Sequence, residues 1–214
     1  GRHAPRFELR RERPPHDAPA ERFDAWARAV LAAHGRFQLL CALRGGPWGV
    51  DAVNRRVADE LHAAGLIAAR DGWYLGRPVL VTRNDYTLGL MNGDIGITLA
   101  RPLPSGPGGA GWALRVAFAA GDDAQTIKWV LPSRLQSVDT VYALSVHKAQ
   151  GSEFEHAALL VPDAPSPILT RELVYTAITR ARSALTLAYA GRLSVLEQAI
   201  DRRVLRASGL LAEV

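Results

Sequence analysis

Two short stretches carry residue types that could do phosphate chemistry. The first, VHKAQGSEF (146–154), lies between two apolar runs and gathers Lys148, Gln150, Gly151 and Glu153 in one polar turn, with Ser145 and His147 at its edge. Gly151 permits close approach of a ligand to the backbone. Glu153 can accept hydrogen bonds from hydroxyls such as those of a ribose, and Ser145 and His147 can donate to phosphate oxygens. The second, LTRELVYTAITRARSAL (169–185), reads as a helix opened by Thr170 as N-cap, with Glu172 in its first turn. Val174, Ala177, Ile178 and Ala181 recur at helical spacing and are expected to face a sheet. That leaves Thr176 and Arg180, four apart, on the outward face, with Arg182 flanking them. An arginine held rigidly against a nucleotide cleft stabilises a transferring phosphoryl group, an effect of roughly 10³–10⁵ in rate. Each stretch also has a plainer account, a polar turn after a strand for the first and a solvated helix face for the second. Residue types alone leave both accounts open.

The elements that must position these loops alternate along the chain. RFDAWARAVLAA (22–33) has the helical period, FQLLCAL (37–43) has the length of a buried strand, and VDAVNRRVADELHAAG (50–65) predicts a helix with Val50, Val53, Val57 and Leu61 on one face and Gly65 as its stop. RPVLVTR (77–83), VYALSV (141–146), AALLV (157–161) and ALTLAYA (184–190) read as strands, and 192–206 as a closing helix. This order predicts an α/β fold with a parallel sheet flanked by helices, with ligands bound beyond the carboxyl ends of its strands. Between 88 and 140 the pattern changes to short runs separated by turn signals such as Asn92-Gly93 and Gly121-Asp122-Asp123, which predicts a small inserted antiparallel β unit. Its Pro/Gly run 102–111 is expected to be a loop, and Trp112 and Trp129 are expected to be core. The expected division is an irregular segment over 1–20, an α/β domain over 21–87 and 141–206, the insertion over 88–140, and a tail over 207–214.

Composition narrows the chemistry. The 214 residues are 48% hydrophobic, enough for a sizeable core, and carry a formal net charge of +5, which favours an anionic partner. A single cysteine, Cys41, excludes an internal disulfide and a thiolate zinc site, and the six histidines are scattered. No apolar run approaches the ~20 residues of a membrane-spanning helix, so a reducing cytoplasm is the expected location. The only lysines, Lys128 and Lys148, follow Ile127 and His147, so no Gly-Lys-Ser/Thr phosphate loop is present.

YALSVHKAQGSEFEHAALLVP followed by LTRELVYTAITRARSALTL resembles the fifth and sixth helicase motifs of superfamily 1, in the form found in the RecD-like branch. FQLLCALRGGPWGVDAVN, GRPVLVTRNDYTLGLMNGDIGI and LPSRLQ resemble further parts of that branch in the same order, so the resemblance covers most of residues 36–205. It implies the second RecA-like motor domain of a DNA helicase, carrying a Src-homology-3-like barrel as its insertion. Arg180 is then the arginine finger on ATP, and Gly151 and Glu153 approach the γ-phosphate and the ribose. Gln150 couples nucleotide to DNA, with Arg182 beside the nucleotide. Ser145 and His147 touch single-stranded DNA; relatives commonly have threonine where Ser145 stands. Asn54, Arg44 and the GGPWG turn match a less specific motif, which a turn and a helix start explain equally well. ATP and Mg²⁺ are bound mainly by a first motor domain upstream, so these 214 residues are expected to be a C-terminal fragment without ATPase activity of its own. The resemblance implies work beside RecB and RecC chains in exodeoxyribonuclease V. A stand-alone RecD-like helicase and a non-enzymatic single-stranded-DNA-binding module are the alternatives.

Overall fold

The structure is a computed structural model describing residues 5–103, 111–121 and 126–202. The expected turn at Asp122-Asp123, most of the Pro/Gly run, the closing helix beyond 202 and the 207–214 tail lie outside them. Two compact units are present, one formed by residues 1–38 and 51–143, the other by 39–50 and 144–214.

The first unit is built on a five-stranded antiparallel sheet. Its strands are β2 (Pro78–Val81), β3 (Ile95–Pro102), β4 (Trp112–Ala120), β5 (Thr126–Val130) and β6 (Val138–Thr140), in the order β5-β4-β3-β2-β6. Side chains alternate between its faces, and both faces are buried. On one, Ile97, Leu99, Ala117 and Ile127 meet Phe23, Trp26, Ala27 and Val30 of helix α2 (Ala20–Gly35). On the other, Val79, Val81, Val116, Phe118 and Val130 form a second cluster. Gly96 pairs with Phe118 across β3 and β4. A Cβ at Gly96 would lie 2.6 Å from the Phe118 ring and 2.7 Å from Val116, so the aromatic packs only because no side chain stands there. Trp112 and Trp129 are half-buried and pack against the α2 cluster, and the Trp129 indole N–H donates to Asp24 at 2.7 Å, so they flank the core in which they were expected.

Three expectations are corrected in this unit. RPVLVTR does not extend a parallel sheet, because β2 pairs antiparallel with both β3 and β6. Residues 1–20 are not irregular throughout: α1 (Pro5–Arg11) buries Phe7 against Ala58, Ile67 and Tyr74, and Arg10 donates to the carbonyls of Leu66 and Leu75. Burial lowers the pKa of Arg10 from its ordinary value. Helix α3 (Val50–Ala63) turns the expected Val53, Val57 and Leu61 inward, but it also buries Asn54 and Ala58, which the apolar period does not place there, because the Asn54 amide finds backbone partners inside.

The second unit is α/β. Its sheet runs β7-β1-β8-β9, from β1 (Phe37–Cys41), β7 (Ala143–Ser145), β8 (Phe154–Val161) and β9 (Ala181–Tyr189), with β8 and β9 parallel. Helices α4 (Arg171–Ile178) and α5 (Ser194–Asp201) bury Leu173, Val174, Ala177, Val195, Leu196 and Ala199. Helix α4 ends sooner than its apolar period predicts. Ala181 is already paired with Phe154, and the Phe154 amide donates to the Arg180 carbonyl at 2.8 Å, so β8 captures the backbone as a strand. Ile178 is consequently exposed.

Candidate functional site

The loop between β7 and β8 folds on itself. The amides of Ala149, Gln150 and Ser152 donate to the carbonyls of Ser145, His147 and Ala149, a run of tight turns that Gly151 ends at φ +84°. A Cβ at Gly151 would meet nothing within 4 Å, so the glycine answers a backbone conformation and leaves open space above it. Ser145 is 6% exposed, and its hydroxyl accepts from the Lys148 amide at 3.3 Å. His147, Lys148 and Gln150 point outward.

Thr170 caps α4 as expected, its hydroxyl accepting from the Leu173 amide. Arg180 lies just past the helix, not on it. Its guanidinium donates to Thr176 O at 3.1 Å, Ser152 O at 2.8 Å and Thr179 Oγ1 at 3.2 Å, tying the end of α4 to the loop that follows Gly151. A guanidinium has five N–H donors. Three are engaged here, which leaves two for a phosphate oxygen in a group whose orientation is already set. Arg182 Nε pairs with Glu153 Oε2 at 2.8 Å. Both side chains are at least half exposed, so the pair contributes at most ~1 kcal/mol and opens readily to a ligand.

A cleft of about 340 Å³ brings His147 and Gln150 together with Ile168, Thr170, Glu172 and Thr176. Thr170 and Glu172, read in the sequence only as helix-start residues, therefore also line a site. No one-dimensional signal distinguishes the two roles. Asn54 requires a correction. It is 8% exposed, its Nδ2 donates to Ala143 O at 3.1 Å, and its Oδ1 accepts from the amides of Tyr142 and Ala143 at 2.6 and 2.9 Å. An amide spent this way fixes the chain ahead of the loop and has no face for DNA. Among the described residues, no group of His, Cys, Asp or Glu is arranged to hold a metal ion, and no described helix is long and apolar enough to cross a membrane.

Residues 140–188, which contain both motif stretches, match the UvrD-like helicase C-terminal domain. Over 185 residues the chain is 40% identical to the RecBCD enzyme subunit RecD of Mycolicibacterium smegmatis, covering 86% of this chain and 30% of that subunit. The chain is RecD-like. The same subunit of Haemophilus influenzae is 33% identical over 205 residues, covering 95% of this RecD-like chain and 29% of the relative. The chain thus spans about 30% of the length of the RecD subunits it matches. Among solved structures, a Pif1 helicase from Bacteroides in complex with ADP-AlF3 and ssDNA aligns with 86% of this chain and 44% of its own at a TM-score of 0.41, with 15% identity.

Proposed function

We propose that this RecD-like chain is the C-terminal part of an ATP-dependent 5′→3′ DNA helicase subunit, supplying one wall of an ATP cleft and part of a grip on single-stranded DNA. In this reading it works with RecB and RecC partners in the cytoplasm during double-strand-break processing, and its antiparallel unit corresponds to the family's Src-homology-3-like barrel. The observation that carries the reading is the bridge made by Arg180, which joins the end of α4 to the loop after Gly151 and keeps two donors free.

The described residues do not fit the whole nucleotide site. Without a Gly-Lys-Ser/Thr loop, or an acidic metal set among the described residues, ATP and Mg²⁺ must be held mainly by another domain. The residues present do a narrower task. Arg180 presents fixed positive charge to a γ-phosphate, Glu153 and Arg182 can exchange their mutual ion pair for contacts to the nucleotide, and Gly151 keeps the approach open. Gln150 and His147 lie on the same loop, facing the smaller cleft. A shift of that loop when Arg180 engages phosphate is transmitted to the residues assigned to DNA, which is the coupling a translocase requires.

In the full-length protein, Arg180→Ala should lower ATP turnover by about 10³-fold or more while nucleotide binding persists. Unchanged turnover would overturn the role. Steady ATP hydrolysis by the 214 residues alone would overturn the assignment of the phosphate loop to another domain.

A further inference from the structure

Outside the motif loops, the antiparallel unit holds a larger cleft of about 600 Å³, within the about 300–1,000 Å³ usual for ligand sites. One wall is the loop 83–94, the other the segment 133–138. The loop is braced from within. Asp85 and Leu90 exchange backbone hydrogen bonds, the Leu88 amide donates to Asp85 Oδ1 at 2.9 Å, and the Met91 amide donates to Asp94 Oδ2 at 2.8 Å. Lys128, one of the two lysines in the chain, reaches from β5 to donate to the carbonyls of Leu88 and Gly89 at 2.7 and 3.1 Å. Asn84 accepts from the Asn92 amide and donates to the Tyr86 hydroxyl at 3.2 Å. So much bracing holds up a ring left largely in solvent: Tyr86 is 80% exposed.

The charge of the cleft is one-sided. Arg83 and Arg134 line it, both exposed, and among the described residues neither guanidinium has a hydrogen-bond or carboxylate partner. Of the two carboxylates in the loop, Asp85 lines the cleft and Asp94 does not, and each accepts an amide of that loop. Two unpaired arginines flanking a pre-positioned aromatic ring offer phosphate contacts on either side of a stacking platform, the combination that binds single strands without regard to sequence. Asn84, Ser133 and Gln136 make the rim polar around a floor that includes Val81, Leu90 and Val138, so it is the unpaired arginines beside the exposed ring that favour a polyanion over a protein ligand.

We propose that this cleft is a second contact for single-stranded DNA, with one base stacked on Tyr86 and the adjoining phosphates on Arg83 and Arg134. The proposal rests on the reading of the chain as part of a DNA helicase. Because the loop is held in place before binding, little ordering cost is incurred there.

The test is a fluorescence-anisotropy titration of labelled oligo(dT) with the full-length protein, without nucleotide, over a range of salt. Tyr86→Ala should weaken binding about tenfold, and Tyr86→Phe, which keeps the ring, should bind like wild type. The double variant Arg83→Gln, Arg134→Gln should lower the slope of log affinity against log salt by about 1.4. All three side chains are exposed, and circular dichroism verifies that the variants fold. If wild type binds while Tyr86→Ala and the double variant bind equally well with the same slope, the cleft is not a DNA contact and the helicase reading stands. If wild type binds no oligo(dT) even at low salt, both fall.

Discussion

At the scale of single residues, the contrast between Asn54 and Arg180 shows how polar side chains divide between holding the chain and meeting a ligand. Both are held by several hydrogen bonds to their surroundings, but the Asn54 amide is closed in by them, whereas the Arg180 guanidinium keeps donors over. Asn54→Ala strips the Tyr142 and Ala143 amides and the Ala143 carbonyl of a buried partner. It should cost about 2–3 kcal/mol of stability, measured as a lower urea midpoint, before any effect on DNA is seen. A variant as stable as wild type would show that water or a backbone shift replaces the amide. Residue types marked out Arg180, Arg182, Gly151 and Glu153, and the resemblance to helicase motifs, not their spacing, implied that they share a site. They could not tell that Asn54 faces inward, because a helix period assigns an amide to a face only once the packing partner is known.

At the scale of elements, what surprised the periodicity was pairing, not propensity. Every strand the sequence suggested exists, yet RPVLVTR joined an antiparallel sheet, since four apolar residues in a row fit a strand buried on both faces in either kind of sheet. The same double burial explains Gly96. Between β3 and β4, where Phe118 lies across the neighbouring strand, Gly96→Ala should cost roughly 1–3 kcal/mol by overpacking. Phe118→Leu in the same background should recover part of the loss in thermal denaturation, and no recovery would mean that the clash with Val116 dominates. Helix α4 makes a related point. Its start was legible because a Thr N-cap is a local chemical event. Its end was not, because the β8 amide that holds the Arg180 carbonyl at the start of β9 comes from 26 residues earlier in the chain.

At the scale of the whole molecule, the two units carry different reporters. Cys41 lies in the α/β unit, and burial pushes its thiol up to about 12. Trp112 and Trp129 lie in the antiparallel unit. Because the folded chain holds Cys41 protonated while the unfolded thiol ionises near 9, the thiol's contribution to stability is complete below pH 9 and is lost progressively as pH rises toward 12. Denaturation followed at pH 8 and pH 11 should therefore show a larger loss in wild type than in Cys41→Ala, read from the α/β unit by hydrogen exchange of β1 and β8. An identical pH response in the two proteins would show that the thiol does not sense the folded core.

By itself, the sequence determined the α/β alternation around the motif loops, the antiparallel character of residues 88–140, the two loops bearing Gly151 and Arg180, and the lack of a phosphate-binding lysine. All of these depend on residue types at short spacing. Only the tertiary structure decided that β2 belongs to the antiparallel sheet, that Asn54 is a latch, that Arg180 leaves the helix to bridge Thr176 and Ser152, and that Arg83, Tyr86 and Arg134 share one cleft. Those outcomes turn on which distant segments meet, and hydrogen bonds and packing between segments 28 to 89 residues apart leave no period in the chain to read.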